Sequence, residues 1–366
     1  MQTSREIINA IIRDKQCPER MGLHEHYWAE TIGEWHKQGL PAYVKDGADA
    51  PWYFNYDLNW VDGTWFDSSP IRGQNIVLEE NDDTVISING WGNKSRNWKK
   101  RSGTPEHLGF DCTSAEIWRA KYREPLLSLD PARFGDLQKL KNDYKRKMST
   151  DRWIYYSNVL VSEILRGALG DVVMLESMYM DPDWIKDFND VLTNHLIMHY
   201  DWLFREVGKP DGMFIYEDMG YTGAPFFSPE LQRELIFPYH KRFIGFCHDN
   251  GLPLVMHSCG KIRPFLQSIF DAGVDCLQVL EAKAGQHVAE FAEAAGNKLA
   301  YMGNLNIRAY ETNDRAKLEA EILPKLDTVR KNRIPYVFHS DHSIPASVSL
   351  ATYEYSLHLF KRYGYY

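Results

Sequence analysis

From about residue 152 onward, short apolar runs alternate with longer segments of helix-like sequence. The runs are WIYYSN (153–158), GMFIYED (212–218), LPLVMHSC (252–259), CLQVLE (276–281), LAYMGN (299–304) and PYVFHSDH (335–342). Between them lie segments such as SPELQRELIFPYHKRFIGFCHDNG, which opens on a Ser-Pro-Glu helix start and stops at glycine, and KIRPFLQSIFDAG. This alternation predicts a parallel sheet with crossover helices.

The first 150 residues are less regular. Residues 22–39 (GLHEHYWAETIGEWHKQG) read as a helix, with Tyr27, Ile32 and Trp35 near helical spacing and Gly39 as the stop. WYFNYD follows as a strand ending at Asp57. Residues 84–98 predict a β-hairpin around the turn NGWGN. Residues 113–147 have a charged helical pattern with breaks at Pro125 and Pro131. No internal repeat or low-complexity tract interrupts the chain, so residues 1–366 form one expected domain: an extension with the first strand and hairpin over 1–150, then regular βα units over 151–366.

The strand candidates end on polar residues: Asp57, Asn158, Glu217 with Asp218, His257 with Cys259, Glu281, Asn304, and the set His339, Asp341 and His342. In a (β/α)8 TIM barrel the carboxyl ends of the strands converge on one face, where the active site sits. A doubly wound sheet gathers ligands only at its switch point and normally carries a glycine-rich loop after its first strand. The chain has no such loop. The expected fold is therefore an α/β (β/α)8 barrel with an N-terminal helical and β-hairpin extension.

Composition narrows the partners. The formal charge is −8, and the basic cluster Lys99–Arg101, after Arg96, sits beside a turn instead of covering a face, which argues against nucleic acid. The N-terminal stretch has no apolar core of a signal peptide, and no segment reaches the ~20 apolar residues of a membrane span. Five cysteines without a CxxC pair fit a reducing compartment, so a cytoplasmic protein is expected. Aromatic residues are dense, with 11 Trp and 21 Tyr, and concentrate in residues 50–66. Such side chains fill cores first and wall pockets second.

LPLVMHSCG carries the most specific chemistry. Residues two apart on a strand share a face, so Val255, His257 and Cys259 line one side and both ligand types could reach one zinc ion. A catalytic zinc needs a third protein ligand and an open position. His342 is the first candidate for that third place, with Asp341 and His339 behind it, and Glu217 could close a fourth position. Cys276 begins its strand and belongs at the opposite face. GKPDG and GNLN lack phosphate-loop spacing and read as turns. A Cys259–His257 nucleophilic pair is the competing reading, but parallel neighbours point more readily toward a common ion.

With HSCG, GVDCLQVLE, MGNLNIR and HSDHSIP in this order and spacing, the chain resembles the uroporphyrinogen decarboxylase superfamily from roughly residue 20 to the C-terminus. The resemblance is most specific where SPELQRELIFPYHKR leads into HSCGKI, and it implies a (β/α)8 barrel. H-x-C-G is similar to the branch of zinc-dependent, corrinoid-linked methyltransferases, which includes methylcobalamin:coenzyme M methyltransferases and O-demethylase methyltransferases. In that branch zinc is held by the His and Cys of the motif and a later Cys. Here that later position falls in SDHSIP, at His342. The decarboxylases proper carry an arginine-rich N-terminal motif, whereas PERMGLHEHYWAETIGEW offers only Arg20.

The resemblance implies methyl transfer between a small methylated compound and the cobalt of a corrinoid (cobalamin) held on a separate carrier protein, since the chain has no D-x-H-x-x-G corrinoid motif. Zinc would serve as the Lewis acid. Asp218, Glu281, Asn304 and Asp341 would ring the open site to orient substrate or move a proton, and Asp57 and Tyr216 would contact the substrate. The aromatic-rich segment points to a methoxylated aromatic donor. Two other classes stay open: a metal-free lyase acting on a small carboxylic acid, and a catalytically silent barrel that binds a ligand or a corrinoid protein.

Overall fold

Trp, Ile, Tyr and Val supply five of the seven residues of Trp153–Val159, and short, mostly apolar runs recur in the strands that follow it. In the computed structural model, which describes residues 2–45, 49–100 and 103–366, these runs assemble into a parallel eight-stranded sheet. Its strands are β1 (Gly22–Leu23), β2 (Leu58–Trp60), β7 (Trp153–Val159), β8 (Gly212–Tyr216), β9 (Leu254–Ser258), β10 (Cys276–Val279), β11 (Ala300–Gly303) and β12 (Tyr336–Phe338). The order is β1-β12-β11-β10-β9-β8-β7-β2. The two end strands meet where the Asp57 N–H donates to the Leu23 carbonyl at 2.8 Å. With helices around it, this is a nearly closed (β/α)8 barrel.

Four fully buried isoleucines close the amino end of the barrel: Ile7 and Ile8 from the helix Ser4–Ile8, and Ile11 and Ile12 from the turn after it. They pack with Trp153, Phe214, Val255, Cys276 and Val337. Burying each contributes roughly 1.5–3 kcal/mol. Gly22 packs directly against them: a Cβ there would lie 2.6 Å from Ile8 Cδ1.

Between β2 and β7 the chain inserts a four-stranded antiparallel sheet, β3 (Asn75–Glu80), β4 (Thr84–Asn89), β5 (Lys94–Trp98) and β6 (Glu106–Gly109). The expected hairpin is its β4–β5 pair. The basic cluster beside it is neutralised: Arg96 pairs with Glu106, Lys99 with Glu80 and Lys100 with Asp83, while Arg101 lies outside the described residues. Among the described residues no helix is long and apolar enough to cross a membrane.

Two N-terminal expectations are corrected. Residues 22–39 are not one helix: Gly22–Leu23 pair with β12 as a barrel strand, and the helix covers only Ala29–Lys37. WYFNYD is not a strand either. Ala50–Tyr53 is a helical turn with proline in its first turn, Asn55 turns the chain at φ 59, and β2 starts after Asp57. Asp57 therefore stands at the amino end of its strand, on the face opposite the barrel mouth.

Candidate metal centre at the barrel mouth

Parallel pairing sets Tyr216, His257 and Gln278 in register across β8, β9 and β10. The His257 Nδ1–H donates to the Gln278 side-chain oxygen, leaving Nε2 directed at its other neighbours. Cys259 Sγ lies 3.2 Å from that nitrogen and Asp218 Oδ1 3.3 Å from it. The ligand atoms of Asp218, His257 and Cys259 all lie within 4.8 Å of one another, and no other such group of three occurs among the described residues. Tetrahedral zinc separates N, S and O ligand atoms by roughly 3.4–3.6 Å, so the set fits the ion with little movement.

Gly260 brings Asp218 beside Cys259. It has φ +78, and a Cβ there would lie 2.2 Å from the Gly220 carbonyl carbon. The loops after β8 and β9 therefore run in backbone contact, tied by Lys261 N–H to Tyr221 O at 2.9 Å. The Cys259 N–H donates to Asp218 Oδ1 at 2.8 Å and the Met219 N–H to Ser258 Oγ at 3.2 Å.

Burial works against the Asp218 carboxylate, yet the His257 imidazole and the Cys259 amide outweigh it and hold the group down at about 2. Burial likewise disfavours a charged His257, but the facing Cys259 and Asp218 lift it well above the usual histidine range. The Cys259 thiol is pushed up by burial, against the pull of His257. A divalent cation held between these three groups would satisfy the Asp218 carboxylate in place of a protonated His257 and would also favour the thiolate.

The remaining expected residues are distributed differently. Glu217 does not face the cluster: strand alternation turns it outward, where its carboxylate accepts the N–H groups of Ser162 (2.8 Å) and Glu163 (3.2 Å) at a helix start and pairs with His240 at 2.6 Å. His342 is also outside the cluster. Its ring lies tilted 6.0 Å from that of Trp28, its Nδ1 donates to Ser343 O at 3.0 Å, and it lines a separate 310 Å³ cavity with Lys283, Arg308 and Glu311. On β12 the inward face carries Val337, and His339 continues it.

Asp341 and Asn304 serve the loops. Asp341 accepts the backbone N–H groups of Ala282 (2.9 Å), Lys283 (3.4 Å) and Ile307 (2.8 Å). Asn304 accepts from Val288 N–H and donates to the Leu280 and Gln286 carbonyls. Both side chains thereby hold the backbone of the loops above the strands. Glu281 is buried, with an oxygen 3.6 Å from Lys283 Nζ. Tyr216 packs its ring 5.0 Å from that of His257.

Asp57 is removed from the substrate set. It receives the bidentate Arg20 guanidinium (both contacts 2.7 Å), the Ser4 hydroxyl and the Leu23 N–H at the closed end of the barrel. Cys276 starts β10 in the same bottom layer as Val255.

Two mouth histidines, His24 and His26, were missed along with Gln278. His24 Nε2 lies 3.3 Å from His26 Nε2, and His26 Nδ1 lies 3.1 Å from His339 Nε2. GLHEH holds the same alternating signal as MHSCG, two ligand-type residues two apart at a strand end. The helix assignment concealed it.

Comparison with known proteins places these features in context. The uroporphyrinogen decarboxylase (URO-D) family model matches residues 164–363. A solved methyltransferase from Methanosarcina mazei superposes with a TM-score of 0.64, covering 97% of this chain and 99% of that one at 12% identity, which is a likeness of fold. The coproporphyrin III ferrochelatase of Listeria monocytogenes is 27% identical over 124 residues, 34% of this chain. That alignment spans only 39% of the ferrochelatase.

Proposed function

The chain belongs to the uroporphyrinogen decarboxylase family, and we propose that within it this protein is a zinc-dependent methyltransferase that works with a corrinoid carrier protein. The observation that carries the reading is the gathering of Cys259 and Asp218 around a single nitrogen of His257. These three residues would hold the ion, with Asp218 in the place of a third ligand and a further position left for substrate. Bound there, zinc supplies a Lewis acid that stabilises negative charge on an oxygen or sulfur.

The chain's own residues do the rest. Gln278 fixes the tautomer of His257. Glu281 and Tyr216 border the mouth, Tyr216 by offering an aromatic wall to the substrate. A methoxylated aromatic compound suits that wall, and cobalt carried by a partner docked over the mouth would supply the methyl acceptor. The relatives named for tetrapyrroles agree with a partner whose cobalt sits in a tetrapyrrole-derived ring.

Elemental analysis and a cobalamin absorbance assay test the reading together. The expected result is about one zinc per chain, no turnover by the lone protein, and zinc-dependent formation of methylcobalamin once cob(I)alamin or a reduced corrinoid protein is added to a methoxyaromatic, methanol or a methylamine. The assay is run also in reverse, with thiols. Silence with every donor and acceptor, with CO2 released from a carboxylic acid, would replace it by the lyase reading.

A further inference from the structure

The aromatic-rich stretch 50–66 is divided by β2, and its members part company there. Phe54 and Tyr56 come before the strand and pack against Tyr353 in the core. Trp60 lies within the strand, under the Lys147 ammonium. Trp65 and Phe66 follow the carboxyl end of β2, on the side of the barrel mouth. Phe66 is buried, with its ring 5.0 Å from that of His199. Trp65 is 49% exposed, and no other tryptophan among the described residues is as open.

The loop that carries Trp65 is fixed on both sides. Thr64 is buried, donates its hydroxyl to the Val61 carbonyl at 2.8 Å, and has its own carbonyl 3.1 Å from the Tyr200 hydroxyl. Beyond Phe66, Arg133 Nη1 donates to the Asp67 carbonyl at 2.6 Å. Trp65 therefore stands out between two anchored neighbours, as a rigid binding surface requires.

A row of rings connects it to the metal-binding residues. The Trp65 ring lies 5.2 Å from that of Tyr216, and the Tyr216 ring lies 5.0 Å from that of His257. The gap from Trp65 to His257 cannot exceed those two steps together. Aromatic rings pair at roughly 4.5–7 Å between centroids. One planar ring laid against Trp65 covers one such step, and a substituent on it then reaches the groups gathered at His257 Nε2. A cage for a methylated ammonium needs rings on several sides of the charge, whereas Tyr216 is the one ring in contact with Trp65 among the described residues.

We propose that Trp65 is the substrate-stacking residue of the barrel mouth. It holds the planar ring of a methoxylated aromatic compound while the oxygen substituent of that ring lies at the His257–Cys259–Asp218 cluster. The inference rests on the proposed function and assigns its substrate class to a residue of this chain. Methanol and the methylamines have no ring for Trp65 to hold and bind weakly.

Fluorine NMR of the protein as purified, with fluorotryptophan in place of its 11 tryptophans, reads the contact directly. The signal absent from Trp65→Phe belongs to Trp65. It should shift on addition of 2-methoxyphenol and stay in place with methanol or tetramethylammonium. A Trp65 signal that 2-methoxyphenol leaves unmoved overturns the inference, as does one that tetramethylammonium moves equally.

Calorimetry supplies the affinity. Trp65→Ala should bind 2-methoxyphenol about tenfold more weakly, near the upper end of what one aromatic pair contributes. Trp65→Tyr should recover most of that loss, and all three proteins should carry the same zinc. Equal affinity of the native protein and Trp65→Ala overturns the inference. So does a loss confined to binding of a corrinoid protein, which would make Trp65 part of the partner's docking face. Absence of zinc counts against the proposed function alone, because the Trp65 signal and the affinity are read without it.

Discussion

Asp218 Oδ1 stands 3.3 Å from His257 Nε2, so a carboxylate joins the His257–Cys259 pair, while His342, where the family resemblance expects a later cysteine, lies outside the cluster. The neighbour of Asp218 in sequence, Glu217, points the other way. The two acids separate metal binding from scaffold in a single comparison: Asp218→Asn should weaken zinc binding by at least tenfold, as losing an anionic ligand does. Glu217→Gln should keep zinc and instead lower the unfolding midpoint, because it weakens the pairing with His240 and the capping of Ser162 and Glu163. Zinc titration and urea unfolding of both variants check this; loss of metal in Glu217→Gln would contradict it.

His257→Ala and Cys259→Ala should each lose zinc while staying folded, since the ligands sit on a preformed barrel and do not build its core. Neither His342→Ala nor Cys276→Ala should change zinc content. One residue lines another cavity and the other lies in the bottom layer.

Gly260→Ala should reduce zinc affinity without touching a ligand. The added methyl would collide with the Gly220–Tyr221 backbone, so the loop carrying Asp218 must move off Cys259. Retention of native affinity in a folded Gly260→Ala protein would show that the loop contact does not position Asp218.

Asp57→Ala should cost about 3 kcal/mol of stability, the scale for leaving one partner of a buried ion pair alone, and leave zinc binding intact. Asp57 is fully buried, and its loss strands Arg20 and frees the Leu23 N–H where the first and last strands of the sheet meet. Chemical denaturation with parallel metal analysis measures both halves.

Stability should rise with pH from about 3 to about 6.5, the interval between the folded value of His339 and its ordinary value. Within it the unfolded chain binds a proton that the native histidine refuses, so acid favours unfolding. Glu25 contributes the opposite slope from the ordinary carboxylate range up to about 8, because there the native state keeps a proton the unfolded chain has lost. His24 and His26, also held low, add to the histidine side. His339→Leu should flatten the rise between pH 4.5 and 6.5, read from urea midpoints across that range.

The sequence by itself determined the barrel and the His257–Cys259 pair at its mouth. Six strands from β7 to β12 were legible because each is a short apolar run between capped helices, and His257 with Cys259 was legible because alternation along one strand is a local rule. Tertiary structure decided what depends on contacts between segments far apart. Asp218 joins the cluster through the close approach of two loops at Gly260, and Glu217 leaves it because a helix start needs a carboxylate. The two-residue strand β1 exists only by pairing with β12, too short a run to outweigh helical spacing, and it carries His24 and His26 to His339. Asp57 has the same explanation: whether a polar residue opens or ends a strand follows from the partner strand that fixes the register, and that partner lies almost a hundred residues further along the chain.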